Sequence, residues 1–338
     1  MAQVSMNRLK HLSSSLFRSV TSAMAKAETA AAPVWIPPPK IEDLYAATTG
    51  NNFSSINAPT AGARKQQPLP KGSADFQLYS LATPNGWKVG ILLEELGIDY
   101  DAHVINIGKG EQFNSGFVGA NPNSKIPAAI DFAGPGGKPL ALMEGGAILM
   151  HLCEKYPEKG FLPSDPRLRS QCLQWLFWQV GGQGPMTGNF GHFMVYAPAN
   201  QVDARNYGVA RYGMEVQRLC DVLERHLAGY GDFCGNDGLR PEGPRKFLVG
   251  EQYSVADIAC LPWVLTIKGK GYDRPNQPRA QDFLGMDRYP NLNAWADRLT
   301  QRIQVQRGMR VCSGAGKPWL EDGHPLNEKS LSKGPSKL

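Results

Sequence analysis

The sequence predicts an α/β domain followed by an all-α domain, and two observations support this. Between positions 76 and 163 the apolar residues change several times between alternate and helical spacing, which is typical of strands and helices in succession. After Asp165-Pro166 the strand patterns stop, and the chain as far as Cys312 has the spacing of helices separated by glycine and proline. The 338 residues, of which 42% are hydrophobic, are enough for about two such domains.

The first predicted domain, residues 76–163, contains four strands and two helices. They are a strand at 76–81, a helix that ends at Gly97, strands at 100–107, 125–132 and 140–143, and a helix marked by Ala147, Ile148, His151 and Leu152. The glycine-rich segment at 134–137 predicts a hairpin between the last two strands. Pro127 lies inside the third predicted strand, where a proline needs a special reason because it cannot donate to the ladder. This order of elements predicts a thioredoxin-like domain.

The second predicted domain, residues 167–312, contains amphipathic helices at 171–180, 207–227 and 291–304. Ser254-Val255-Ala256-Asp257 has the form of a reciprocal N-cap, with aspartate where glutamate is usual. A helix that begins there is expected to be central to the domain, and Pro262 predicts a kink in it.

Three further segments flank the two domains. Residues 1–32 form a basic leader with four basic residues and one acidic residue, and its serines and helically spaced apolar residues fit an organellar transit peptide or a disordered tail equally well. Residues 33–75 are rich in proline, glycine and asparagine and predict an extended arm without regular structure. An irregular tail is predicted at 313–338.

The net charge of +6 lies mostly outside the two domains, because residues 1–75 carry eight basic and four acidic side chains. A phosphate-binding stripe, and hence a nucleic-acid partner, is not predicted. No run approaches the ~20 apolar residues that span a bilayer. The six cysteines are widely spaced, which predicts reduced thiols and no metal site. We expect a cytoplasmic protein, or a mitochondrial or other organellar one if residues 1–32 are a transit peptide.

Six motifs, in one order and with compatible spacing, resemble those of the cytosolic glutathione transferases. They are Thr83-Pro84-Asn85-Gly86 and the segments at 108–113, 121–127, 144–149, 175–178 and 254–259. The resemblance covers about residues 34–330. Within the family, the sequence is most similar to the nu class, which contains disulfide-bond oxidoreductases. It implies a homodimer of the cytosolic glutathione transferase fold, with glutathione as cosubstrate between the two domains of each subunit and no metal.

The resemblance implies a catalytic role for Thr83 and Asn85. These positions approach the glutathione sulfur in the family, and the N–H groups and dipole at a helix N-terminus favour a thiolate. No cysteine occurs here, so bound glutathione is expected to supply the reacting sulfur. Composition alone would favour a simple turn.

Further positions are implied to bind glutathione. They are Gln112 and Lys125 at its glycine end, Ile126 and Pro127 at its cysteinyl backbone, Glu144 at its γ-glutamyl amine, Gly145 at its γ-glutamyl carboxylate, and Arg211 from across the dimer. The bond before Pro127 is expected to be cis. Gly145 stands where the family usually has serine, so the hydroxyl is missing. Taken singly, Gln112, Lys125 and Arg211 have the character of solvated surface residues. Glu144 also suits the first turn of a helix by its charge.

Five side chains are expected on the side of the second substrate: Trp178, Phe190, His192, Phe193 and Tyr196. Aromatic stripes on helices more often belong to a core. Three functions follow from the resemblance. The leading one is glutathione-dependent disulfide reduction, the second is conjugation of electrophiles, and the third is a non-enzymatic regulatory protein with a transferase fold.

Overall fold

The structure is a computed structural model that describes residues 35–49, 60–229, 243–269 and 271–328. The chain divides into two compact units, Met1–Thr48 and Thr49–Leu338. The predicted basic leader, residues 1–32, lies outside the described residues, as does Cys234. No helix in the described ranges is both long and apolar enough to cross a membrane.

A 3₁₀ helix, Ile41–Thr48, occurs in the described part of the first unit. The prediction that residues 33–75 lack regular structure is therefore wrong for this segment. The chain has no proline or glycine between Pro39 and Gly50, and its acidic residues fall in the first turn, where they favour a helix start. The Thr48 hydroxyl also donates to the Tyr45 carbonyl at 2.8 Å.

The second unit begins with a four-stranded mixed sheet of order β2-β1-β3-β4. The strands are β1 Phe76–Ser80, β2 Asp101–Val104, β3 Ala128–Asp131 and β4 Leu140–Met143. β1 is parallel to β2 and antiparallel to β3, and β3 and β4 form the predicted hairpin. In the register, Gln77 lies opposite Asp101 on one side and Ile130 on the other. Together with the helices that follow, this sheet confirms the predicted fold class.

Ten α-helices occur in the described part of the second unit. They are α1 Pro84–Leu96, α2 Ser115–Ala120, α3 Gly145–Lys155, α4 Pro166–Trp178, α5 Gly184–Gly191, α6 Val202–Leu227, α7 Val255–Lys268, α8 Ala280–Phe283, α9 Pro290–Thr300 and α10 Ile303–Gly308. The predicted glycine cap of α1 is confirmed, since Gly97 has a φ of 65° and its N–H donates to the Leu93 carbonyl.

Pro127 precedes β3, so the prediction of a strand over 125–132 with the proline inside it is wrong. The Asn121 side chain donates to the Lys125 carbonyl at 2.6 Å and holds the preceding residues in a turn. β3 therefore begins only at Ala128. The peptide bond between Ile126 and Pro127 is cis, as predicted.

The chain is continuously helical from the start of α4 to Tyr196 and contains two π-helical turns, Gln179–Gln183 between α4 and α5 and His192–Tyr196 directly after α5. Pro185 has no N–H to donate to an α-helical ladder, which favours the interruption before it. π turns change the direction of the side chains that follow and are frequent at functional sites.

Two predictions for the C-terminal part need correction. The run at 291–304 forms two helices, α9 and α10, with a break where Arg302 turns to pair with Glu95 at 2.6 Å. The tail predicted to be irregular at 313–338 contains the 3₁₀ helix Pro318–Leu320, and Leu326 is held because its carbonyl accepts hydrogen bonds from the Arg307 guanidinium at 3.0 and 3.1 Å.

One hydrophobic core extends through the α/β and helical parts. It contains Leu92 of α1, Ile258 of α7 and Val305 of α10, all of them fully buried. The predicted reciprocal cap at Ser254 is confirmed, and α7 continues past Pro262 to Lys268. Because the core is shared, the cleft between the two domains has fixed walls.

Candidate functional site

Two adjoining cavities of about 370 and 300 Å³ lie between the α/β domain and the helical domain. Residues common to both linings are Asn85, Lys125, Ile126, Gly188 and Trp263. Glu144, Gly145 and Pro127 line the first cavity, and Thr83, Gln112 and Tyr196 line the second. The structure thus brings together most of the predicted site residues in one cleft.

The N-terminus of α1 contributes hydrogen-bond donors to this cleft. Thr83 is the N-cap, and its hydroxyl oxygen accepts the Gly86 N–H at 3.3 Å, which leaves the hydroxyl proton available to donate outward. The Asn85 side chain has no hydrogen bond within the described ranges. A helix N-terminus with such groups attracts an anion.

Gln112 lies on the loop between β2 and α2. The loop is held by Asn106, whose N–H donates to the Glu111 carboxylate at 2.7 Å and whose side chain accepts the Lys109 N–H. Gln112 is only 2% exposed, and its carbonyl oxygen has no partner among the residues that the structure describes. An unpaired buried amide oxygen costs free energy, so it fits a ligand that donates to it.

The turn before β3 holds Lys125 and Ile126 at the cleft. The Asn121 side chain accepts the Asn123 N–H and donates to the Lys125 carbonyl, which fixes the turn. The Ile126 N–H and carbonyl have no hydrogen-bond partner in the described part of the chain. These groups can therefore pair with an extended peptide.

Glu144 and Gly145 form the start of α3 at the far end of the first cavity. Glu144 is exposed and has a backbone φ of 66°, a value that residues other than glycine rarely adopt. Gly145 is buried beside Lys88, a residue of α1 that was not predicted. Lys88 lies four residues before Leu92, and this spacing places it on the apolar face of α1. A lysine on an apolar helix face was the signal in the sequence that could have drawn attention to it.

Lys88 is an unusually buried cation, with 4% of its surface exposed. Its ammonium donates to the Gln179 side-chain oxygen at 3.2 Å, from the first π turn. Burial lowers the pKa of Lys88 to about 8, although the nearby Glu144 and Cys260 oppose this shift. Trp263 was also not predicted, and its indole N–H lacks a partner among the described residues.

Four of the five residues expected on the side of the second substrate do not line either cavity. They are Trp178, Phe190, His192 and Phe193, whereas Tyr196 lines the second cavity. Phe190 is fully buried in the core, which is the alternative for aromatic stripes, and its ring stacks on that of the exposed Phe283. Burial lowers the pKa of His192, which packs edge-on against Phe193. Arg211 is exposed on α6 and also does not line the cavities of its own chain.

The five thiols that the structure describes are unsuited to react at this cleft. Every described cysteine is buried and free, and none lines the two cavities. Burial raises the pKa of Cys153 and of Cys220 to about 12, so these thiols stay protonated at neutral pH. Within the described ranges, no group of three or more His, Cys, Asp or Glu side chains is placed to hold a metal ion.

Known proteins match both domains. The family profile of the glutathione S-transferase N-terminal domain matches residues 82–155, and that of the C-terminal domain matches residues 206–298. The disulfide-bond oxidoreductase YghU of Escherichia coli is 39% identical over 290 residues, which are 84% of this chain and 90% of the relative.

Two solved structures are also similar. Glutathione transferase YghU of Streptococcus pneumoniae, complexed with glutathione, is 40% identical with a TM-score of 0.70, over 82% of this chain and 98% of that one. A glutathione transferase of Pseudomonas putida, with one glutathione disulfide bound per subunit, is 40% identical with a TM-score of 0.61, over 72% of this chain and 94% of that one. The two matched domains and these identities show that the chain belongs to the glutathione S-transferase family.

Proposed function

We propose that the protein reduces disulfides with the thiolate of bound glutathione. The observation that carries this proposal is the donor pair Thr83 and Asn85 at the N-terminus of α1, in a cleft lined by no cysteine among the described residues. A thiol is a weak nucleophile until it is deprotonated, and these donors favour its anion. The nucleophile that the site stabilises must therefore arrive with the ligand.

The cleft offers a complementary group to each part of glutathione. Lys125 provides a positive charge for the glycine carboxylate, and the Gln112 side-chain oxygen accepts a hydrogen bond from an N–H group at the same end. The Ile126 backbone pairs with the cysteinyl residue, as two strands pair. Glu144 accepts the γ-glutamyl ammonium. This orientation directs the sulfur toward Thr83 and Asn85.

The reaction is thiol–disulfide exchange in two steps. The bound glutathione thiolate attacks one sulfur of a disulfide RSSR, forms a mixed disulfide with it and expels RS⁻, which takes up a proton. A second glutathione thiolate then attacks the glutathione sulfur of the mixed disulfide and releases glutathione disulfide and the second RS⁻. Two glutathiones are oxidised and one disulfide is reduced.

Conjugation of electrophiles is the second candidate, because the same thiolate could attack carbon. The observation that favours it is the aromatic wall of the second cavity, which contains Tyr196, Trp263 and Tyr272. A non-enzymatic regulatory role is the third candidate, and the missing hydroxyl at Gly145 is its support.

The test compares two substrates on the purified protein with glutathione in excess. We expect reduction of 2-hydroxyethyl disulfide to exceed conjugation of 1-chloro-2,4-dinitrobenzene. Thr83→Val should lower disulfide reduction on the order of a hundredfold, because one hydrogen bond to a developing anion is lost. Ser164→Ala, on an exposed loop, is the control. Faster conjugation than reduction would favour the second candidate, and tight glutathione binding without either reaction would favour the third.

We also infer a homodimer. Tyr207, Arg211 and Met214 follow one another at helical spacing on α6, and Tyr207 and Met214 are 75% and 63% exposed. An exposed apolar stripe of this kind marks an interaction surface. Arg211 in its middle would be carried toward the cleft of a partner subunit.

A further inference from the structure

The buried ammonium of Lys88 has no carboxylate of the described residues within hydrogen-bond distance. Its one hydrogen-bond partner in the described chain is the neutral amide oxygen of Gln179, at 3.2 Å. An ammonium carries three donors, and a buried charge is costly unless it is paired. Lys88 nevertheless lines the first cavity, so its remaining donors are within reach of a ligand there.

Gly145 provides the space that the Lys88 side chain occupies. A Cβ atom built on Gly145 would lie 2.3 Å from Cε and 3.0 Å from Nζ of Lys88. The ammonium therefore lies directly against the first residue of α3. The first N–H groups of this 11-residue helix have no intrahelical acceptor. They point out of the same helix end at which the ammonium lies.

Glu144 completes an arrangement of opposite charges. Its carboxylate lies near enough to Lys88 to act on the ammonium electrostatically, and both residues line the first cavity. An α-amino-acid head group carries an ammonium and a carboxylate on one carbon. A cavity end that presents one carboxylate and one ammonium matches both.

We propose that Lys88 binds the α-carboxylate of the γ-glutamyl residue, together with the N–H groups at the start of α3, while Glu144 binds the amine. This inference extends the proposed function and depends on it. It gives Gly145 a positive role: the absent side chain admits the ammonium, so the missing hydroxyl is replaced by a charged donor.

The test measures the dissociation constant at pH 7 by isothermal titration calorimetry. The ligands are glutathione and 4-aminobutanoyl-cysteinylglycine, which lacks only the γ-glutamyl α-carboxylate. The proteins are wild type, Lys88→Met and the control Lys138→Met, whose lysine is exposed on the β3–β4 hairpin. We expect Lys88→Met to weaken glutathione binding about tenfold to a hundredfold, as a charge-assisted hydrogen bond is lost, and to leave binding of the analogue unchanged.

Two results would overturn the assignment. One is unchanged glutathione affinity in Lys88→Met, and the other is an equal loss for both ligands, which would mean a structural effect on the cleft. If the wild-type protein fails to bind glutathione at all, the proposed function is refuted with it. If glutathione binds to the wild-type protein and only the predicted effect of Lys88→Met is missing, the proposed function still stands.

Gly145→Ser supplies a second variant should Lys88→Met fold poorly. Because the new side chain displaces the ammonium, we expect weaker binding of glutathione and unchanged binding of the analogue. Tighter glutathione binding would show that the missing hydroxyl limits affinity, and would contradict the role of Lys88.

Discussion

Lys88 and Gly145 show how two residues on neighbouring helices can depend on one another. The Lys88 side chain occupies space that a Cβ atom at position 145 would take, and burial there lowers the pKa of Lys88 to about 8. The amine still holds its proton at neutral pH. A ligand carboxylate would pair with the ammonium and offset the free-energy cost of its burial. The buried charge therefore costs less free energy in the complex than in the free protein.

At the same scale, several polar atoms in the cleft have no partner among the described residues. The Gln112 amide oxygen, the Ser124 hydroxyl and the Trp263 indole N–H are each buried and unpaired. Native proteins pair almost all such groups. Their occurrence around one cleft indicates a surface that a polar ligand completes.

At the scale of elements, α7 is positioned by its capping aspartate. Asp257 is fully buried and accepts hydrogen bonds from the Ser254 N–H, the Leu248 N–H at 2.9 Å and the Trp295 indole at 2.9 Å. One carboxylate thus joins α7 to the preceding loop and to α9. Since Trp263 lies on α7, the cap also positions a wall of the cleft.

We expect Asp257→Ala to lower the free energy of unfolding by about 3 kcal/mol, because several buried donors lose their acceptor. Asp165→Ala is the matched control. Asp165 is the exposed N-cap of α4, and its loss should cost about 1 kcal/mol. Urea denaturation followed by circular dichroism measures both values. Equal losses in the two variants would contradict the central role of the α7 cap.

The pKa of Asp257 adds a dependence on pH. Burial raises this pKa from 3.8 to about 6, so the folded state binds a proton that the unfolded state releases between those values. The stabilisation from this proton is complete below about pH 4 and is lost as the pH rises through 6. The same denaturation series should show wild type losing stability relative to Asp257→Asn across this window.

The sequence predicted the elements that are defined by local patterns. β4, the glycine cap of α1 and the cap of α7 depend on neighbours within a few residues, and each was found as expected. The break between α9 and α10 depends on Arg302 pairing with Glu95, which is distant in sequence. Such contacts leave no periodic signal.

The same distinction holds for the site. Thr83, Gln112 and Glu144 lie in motifs that resemble a family, and the structure places all three at the cleft. Neither Lys88 nor Trp263 was predicted. The spacing of Lys88 from Leu92 indicates the apolar face of α1 but not the cleft, because each of the two residues acquires its position there from residues on another element. Aromatic residues such as Phe190 were expected at the cleft and belong to the core instead.

At the scale of the whole molecule, the proposed homodimer makes a clear prediction. Sedimentation equilibrium should give twice the chain mass of 36.9 kDa for the wild-type protein. Met214→Glu should shift the protein toward monomer, because it places a charge in the exposed stripe of α6. Leu320→Glu, at another exposed apolar residue, should remain dimeric. A monomeric wild type, or a fully dimeric Met214→Glu protein, would contradict an interface at this stripe.

At the same scale, the reactive sulfur is expected to come from the ligand, since the described thiols are buried and none of them lines the cleft. The most direct test is the pH titration of bound glutathione by thiolate absorbance near 240 nm, with the S-methylglutathione complex subtracted. We predict a midpoint well below the value of about 8.5 for an ordinary thiol, and a higher midpoint in Thr83→Val. A bound thiol that titrates at or above the midpoint of free glutathione would contradict activation by this site.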